Sequence, residues 1–464
     1  MNRERLAACL AGRVSRSSLL RLLRDSAHDS GAELYLVGGP VRDAALGRRS
    51  RDADVTVVRR GTALIRELGQ RLGTGGFRFR KRGVTTWRFV SSAGEVDVVD
   101  AVRRGLEADL RRRESTINAM AYDLVGRYVV DPLGGLADLR ARRLRAPTED
   151  TFRDDPIRCL RAARFLAELP GFRIERATKE LLLRQVRSLR RAAVERVRAE
   201  LNKMLAADRP HRGLAAVQEW GLLDPILPEL SPLRECVAGR ERPDVWTHTL
   251  KTIEISATRP RLPCYGTVRR RNELPLLRWT LLLHDIAKPA TFARMPSGKP
   301  TFHGHEEIGA TMADKLLGRL RFDSASRRRI KQLIRWHLRP GHLADAGAPM
   351  RGMRRLAREA GDDLPLLCLH AACDAQGSGG LDTGARWRRM SRVLRALPQI
   401  QSRLRAIPSE PLLSGADVLR VTGLAPGPKV GALLRELADA RDDGLVSDRR
   451  QALAFVKRIH GTYS

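Results

Sequence analysis

LYLVGGPVRDAALGRRSRDADVTVV, residues 34–58, divides into a strand, a glycine turn, a short helix and a second strand. The second strand opens on Asp52 and Asp54. Side chains alternate along a strand, so these two carboxylates share one side while Ala53 and Val55 point the other way. Two carboxylates one strand-step apart repel unless a cation sits between them. A hard divalent ion such as Mg²⁺ takes oxygen ligands of this kind and keeps further positions for water and phosphate. Just upstream, Gly38 and Gly39 let backbone N–H groups approach a ligand closely. Pro40 suits the first turn of a helix, whose N-terminus offers unpaired donors to an anion. Arg42 projects one turn further in. Turn, arginine and carboxylate strand together make a phosphate-plus-metal constellation, and Asp97 in GEVDVVDAV, on a later strand, is a candidate third acid.

Two metal ions about 3.5–4 Å apart, held by such acids, activate an attacking oxygen and stabilise the leaving one. The reaction implied is nucleotidyl transfer: a 3′-hydroxyl attacks the α-phosphate of a nucleoside triphosphate and pyrophosphate leaves. No G-x-x-x-x-G-K-[ST] loop occurs, which disfavours a P-loop ATPase. The partner is suggested by charge. The 464 residues hold 86 Lys+Arg against 53 Asp+Glu, a formal net charge of +33. A GC-rich genome explains arginine in place of lysine, but not the excess over acids. Arginine binds phosphate bidentately and stacks on bases, so a nucleic acid is the leading partner.

The six cysteines, Cys9, Cys159, Cys236, Cys264, Cys368 and Cys373, form no C-x-x-C pair and read as buried thiols of a reducing compartment. No apolar run approaches a membrane span, and the first 23 residues read as an amphipathic helix without a signal peptide's apolar core. A cytoplasmic location, with no membrane partner, is the expectation.

Along the chain, β-rich runs alternate with helices from Leu34 to about Leu144, and strand signals nearly vanish after Ala146. The reading is α+β: a head with a mixed sheet over 1–145, then helical domains over 146–235, 240–380 and 381–464. The Pro-rich stretch from about 225 to 243 reads as a linker.

These motifs resemble the bacterial class II tRNA nucleotidyltransferases, the CCA-adding enzymes, and their poly(A) polymerase relatives, through nearly the whole chain. The resemblance implies a polymerase-β-like head and makes Asp52 and Asp54 the catalytic Mg²⁺ ligands. It places Gly38, Gly39 and Arg42 on the triphosphate. LRRRESTINAMAYDL resembles the family's Arg-Arg-Asp-Phe-Thr-Ile-Asn-Ala motif, bringing Arg112, Arg113 and Asn118 near the nucleotide. Glu114 stands where the family has an aspartate that senses the ribose hydroxyl, and Ser115 where an aromatic or leucine is usual. The partners implied are tRNA, CTP and ATP. The family alternative is a poly(A) polymerase.

FRDDPIRCLRAARFLAEL resembles the motif that chooses the incoming base. Glu149–Arg153 fits the family's Glu-Asp-x-x-Arg string literally, but the context that follows aligns the motif with Asp154–Arg158. Asp155 and Arg158 are therefore the base readers, three apart on one helix face, with Arg161 one turn on. Aspartate accepts from the exocyclic amino group of cytosine or adenine, and arginine donates to a neighbouring ring acceptor. Between EVDVVDAV and LRRREST only RRGLEAD intervenes. The family usually has a longer loop here, associated with switching from C to A addition, and its shortness resembles the subset that adds CC only.

His248, His284-Asp285 and Asp374 follow the order of an HD-type metal site, with His305 and His337 as possible extra ligands. Imidazole with carboxylate suits a divalent transition metal or Mg²⁺. In one branch of the family such a domain gives phosphatase and phosphodiesterase activity, so action on RNA ends at this site is the other alternative. The C-terminal helices resemble the family's tRNA-contacting segment.

Overall fold

Side-chain caps start the first two helices: Asn2 accepts from the Arg5 amide to open α1 (Arg3–Arg16), and Ser17 from the Leu20 amide to open α2 (Ser18–Ser30). The structure, a computed structural model, describes residues 1–49, 53–81, 84–92, 94–237, 244–298, 300–378, 383–406, 410–442 and 444–461. It divides into two compact units, Met1–Ser231 with Arg319–Arg321, and Pro232–Gly318 with Phe322–Ser464.

In the first unit follow β1 (Glu33–Val37), α3 (Gly39–Ala45), β2 (Asp54–Arg59), α4 (Gly61–Leu72), β3 (Phe77–Lys81), β4 (Val84–Ser91), β5 (Gly94–Asp100), α5 (Leu106–Arg111), β6 (Ala121–Asp123) and β7 (Val129–Val130). Among the described residues these strands form a sheet in the order β3-β4-β5-β2-β1-β6-β7. Only β2 and β5 run parallel; the other neighbours are antiparallel, so the sheet is mixed. Leu34, Leu36, Val55, Val57 and Val98 are buried, with Leu6, Leu10, Leu23, Leu64 and Leu68 on the helices also in the core. The alternation in β2 leaves Asp54 exposed while Val55 is buried. β3 is a strand that the sequence reading did not assign.

The rest of this unit is helical: α6 (Gly135–Arg140), α7 (Thr151–Asp154), α8 (Ile157–Glu168), α9 (Arg176–Leu183), α10 (Val194–Ala206), α11 (Pro210–Glu219) and α12 (Leu223–Ile226), with one two-residue strand pair, β8 (Arg143–Leu144) and β9 (Arg173–Ile174). α8 packs against α10 and α11 through Leu160, Ala163 and Phe165, all buried.

The second unit contains α13 (Val245–Thr258), α14 (Tyr265–Arg270), α15 (Leu274–Leu283), α16 (His305–Arg319), α17 (Ser324–Trp336), α18 (Arg339–Asp345), α19 (Met350–Ala360), α20 (Leu364–Gly377), α21 (Thr383–Ala406), α22 (Gly415–Thr422), α23 (Pro428–Asp442) and α24 (Arg449–His460). α20 is apolar on all sides, and residues 364–373 are buried throughout, as a central helix requires. It packs against α13, α15 and α21. The last three helices close a core of their own around Leu413, Val418, Leu433 and Val456. Among the described residues no helix is long and apolar enough to cross a membrane.

Candidate active site and candidate metal centre

In the first unit the glycine turn and the carboxylate strand leave the sheet at the same end. Leu36 pairs with Val55, so one residue further along each strand stand Val37, which leads into Gly38, and Asp54. Gly38 has φ 74°, and a Cβ there would lie 2.6 Å from Arg113 Nη1. A bare backbone at Gly38 is thus what lets that guanidinium reach the turn. β2 and β5 run in register with Asp54 beside Asp97, which brings a third carboxylate to the strand. Asp97 is not free, however: Arg88 donates to both of its oxygens at 2.7 and 2.6 Å. Asp52 lies outside the described residues.

Arg42 is braced on three sides. It pairs with Asp43 at 2.8 Å, donates to Asn118 Oδ1 at 3.0 Å, and stands over the Phe165 ring. Asn118 in turn donates to Glu114 at 2.6 Å, and Glu114 faces Arg161 at 3.5 Å. Arg161 and Arg164 share Glu200, and Arg164 also grips Glu168. One polar chain therefore runs from the glycine turn to the helix α8. Burial pushes the Glu114 carboxyl up, but Arg161 and the Asn118 amide outweigh it and hold the group at about 2. Asp109, which the sequence reading passed over, is buried and accepts from Thr56 on β2 at 3.0 Å and from Arg113 at 3.4 Å. Its only sequence signal is an acid on the inward face of a one-and-a-half-turn helix.

Asp155 and Arg158, expected to read the base, do not share one helix face. Asp155 is extended (φ −147°, ψ 97°) between α7 and α8, because the residue before a proline is pushed out of the helical region, here by Pro156. Arg158 and Arg161 lie on α8; Asp155 precedes it. Arg196 of α10 grips the Asp155 carboxylate at both oxygens, 3.0 and 2.6 Å. Arg158 donates to the carbonyls of Thr151 and Arg112, so the two arginine motifs meet.

In the second unit, His248, His284, Asp285 and Asp374 converge as their order suggested. His248 Nε2 is 3.0 Å from Asp374 Oδ1, and His284 Nε2 is 3.1 Å from Asp285 Oδ2, in both cases without hydrogen-bond geometry. His305 and His337 complete a second buried triad on the other oxygen of Asp285, with His305 Nε2 3.5 Å from Oδ1 and 3.3 Å from His337 Nε2. Each of His284, His305 and His337 hydrogen-bonds through Nδ1 to a carbonyl three residues back, at 2.6–2.8 Å. His284 and His337 follow directly on α15 and α17, whose last carbonyls need partners. With Nδ1 committed as donor, Nε2 carries the lone pair that a metal takes. Burial keeps His337 down at about 4, in its neutral form. Orphaned Nε2 atoms beside carboxylates fit a divalent cation with nitrogen and oxygen ligands. Lys288 meets Asp285 Oδ2 at 2.7 Å.

His370 was missed. It sits one turn before Asp374 on α20, is wholly buried, and packs edge-on against His284 and His337 at centroid distances of 5.2 and 5.7 Å. Neither ring nitrogen has a protein hydrogen-bond partner, and burial holds its pKa far down.

Comparison with known proteins places models on three stretches: the poly A polymerase head domain on residues 34–145, the probable RNA- and SrmB-binding site of polymerase A on 171–233, and the HD domain on 245–375. The chain is 38% identical over 431 residues to an A-adding tRNA nucleotidyltransferase of Deinococcus radiodurans, covering 91% of this chain and 94% of that one. It is 33% identical over 433 residues to a CC-adding tRNA nucleotidyltransferase of Thermus thermophilus, covering 91% and 93%. Its fold matches the Thermotoga maritima CCA-adding enzyme complexed with tRNA at a TM-score of 0.62, with 20% identity and 94% of each chain covered.

Proposed function

The chain belongs to the class II CCA-adding tRNA nucleotidyltransferase family, and we propose that it adds the two cytidines of the tRNA 3′ end and leaves the terminal adenosine to another enzyme. As a tRNA nucleotidyltransferase it joins C or A residues from CTP or ATP to the 3′ end of tRNA, with pyrophosphate as the leaving group. The CC reading rests on one observation, the tight connection after β5. The amides of Arg104 and Gly105 both return to the Ala101 carbonyl, and α5 begins at Leu106. Nothing longer than this turn stands where the family's switching loop belongs. A second reading, A addition, is favoured by the higher identity to the A-adding relative than to the CC-adding one.

In this proposal Asp52 and Asp54 hold Mg²⁺ through oxygens only, the donor set that ion prefers. The ions, when bound, lower the pKa of the attacking 3′-hydroxyl and neutralise the leaving pyrophosphate. Arg42 and Arg113, at the glycine turn, take the triphosphate, and Arg42 does so from a geometry already fixed by Asp43 and Asn118. Asp155 reads the amino edge of the base, aimed by Arg196, and Arg158 gives up a backbone carbonyl to donate to the ring. A cytoplasmic location follows from the tRNA substrate. The histidine-rich cluster takes a late transition-metal ion in preference to Mg²⁺, because imidazole nitrogen dominates its donors.

The test offers each labelled triphosphate with a tRNA ending at its discriminator base and reads the product at single-nucleotide resolution. A two-nucleotide product from CTP with none beyond it supports CC addition. A third residue, or extension only of a tRNA already ending in CC, replaces it. Asp54→Ala should abolish incorporation while tRNA binding persists.

A further inference from the structure

β3 closes one edge of the sheet and alternates Phe77 and Phe79 with Arg78 and Arg80. Alternation puts the two arginines on one face, their Cα atoms about 6.6 Å apart. They form one wall of an open groove of about 770 Å³, completed by Arg60 at the head of α4 and by Arg103 and Arg104 after β5. A single carboxylate, Asp100, lines it with them, and it accepts from the Val102 amide at 3.1 Å. Among the described residues Arg60, Arg78, Arg80 and Arg103 make no ion pair with an acid. Arg78 instead lies over the Trp87 ring, 5.9 Å from its centroid. The contrast is local: Arg88, one strand away, is neutralised by Asp97 and Glu95.

The groove is not the nucleotide site. Strand register sets Arg78 level with Trp87, Val98 and Val55, and Arg80 level with Thr85, Asp100 and Val57. The groove therefore opens on the face of the sheet opposite Asp54 and Asp97, its arginine strand three strands, about 14 Å, from β2. A triphosphate held at Gly38 would not reach it. Guanidinium groups stepped along a strand match successive phosphates of a polynucleotide, and concave walls focus the field they create.

We propose that this groove is a second RNA-binding surface, which takes the phosphodiester backbone of the tRNA away from its reacting 3′ end. The proposal rests on the tRNA reading above. Its role is affinity, not chemistry.

Arg78→Glu/Arg80→Glu tests it, with Arg78→Gln/Arg80→Gln as the milder change; both positions are exposed on an edge strand. Binding of a tRNA lacking CCA is measured against salt, alongside steady-state incorporation. The Glu pair should weaken tRNA binding about tenfold and reduce the slope of log Kobs against log salt by about 2, near 0.9 per lost phosphate contact. KM for tRNA should rise in parallel, with kcat and KM for CTP unchanged within twofold, and the Gln pair should fall between. Unchanged affinity and slope would overturn the groove. So would a fall in kcat alone, or loss of binding to phosphatidylglycerol vesicles with tRNA binding intact. A parent protein that neither binds nor extends tRNA defeats the tRNA reading; a working parent matched by its variant defeats the groove alone.

Discussion

Glu114 carries one methylene more than the aspartate usual in its motif, and that reach is spent on Asn118 and Arg161. Its carboxyl, held at about 2 against an ordinary 4.5, is a stability statement. A depressed carboxyl stabilises the fold fully above 4.5, and the contribution fades as pH falls from 4.5 towards 2. At 1.36 kcal/mol per unit it is worth about 3 kcal/mol. Glu114→Gln should therefore lower the stability of this unit by about that amount at pH 7 in urea unfolding, and the gap from the parent should narrow below pH 4.5. A gap that stays constant down to pH 3 would remove the ion pair from the account. Arg196 makes a different prediction. It holds Asp155 by both oxygens, so Arg196→Ala should cut kcat/KM for CTP by at least tenfold and narrow the preference for CTP over UTP. Arg196→Lys, which keeps the charge without the fork, should recover only part of the preference.

At the scale of elements, α3 depends on its entry. Gly38→Ala meets both a positive φ and a contact of 2.6 Å with Arg113, so the guanidinium must leave the turn. A stability cost of about 1–2 kcal/mol with a KM for triphosphate raised at least tenfold is expected. Wild-type nucleotide kinetics in this variant would separate Arg113 from the triphosphate. The same entry was legible in the sequence, because Gly-Gly-Pro and alternating carboxylates have few structural meanings. Asp155 was expected from its motif to read the base, but its placement was not legible, since spacing alone ignores what Pro156 does to the residue before it. β3 escaped because FRFRK, after a run of glycines and followed by more arginine, has the composition of a loop; its strand character comes from pairing with β4. His370 escaped for the opposite reason. In a helix as apolar as α20, one histidine reads as an ordinary core residue, and only its unpaired ring nitrogens among other imidazoles set it apart.

Across the whole molecule, the glycine turn with its carboxylates and the histidine cluster belong to different compact units, each with its own core. Their donor sets also differ in kind, carboxylate oxygen in one unit and mostly imidazole nitrogen in the other. The two sites should therefore be separable by metal. Exhaustive dialysis against a chelator, followed by Mg²⁺ alone, should restore incorporation fully while leaving the histidine cluster empty by elemental analysis. Unfolding of a chain with two such units need not be two-state, so calorimetry can assign the loss. A cation at a thousand times its Kd contributes about 4 kcal/mol to the unit that holds it, a Tm shift on the order of 10 °C at this size. One transition should fall by that amount and recover with Mn²⁺ or Ni²⁺, and His284→Ala should abolish the recovery. If both transitions moved together, or Mg²⁺ failed to restore incorporation until a transition metal returned, the histidine cluster would be part of the nucleotidyl-transfer machinery and the separation of the two sites would be wrong.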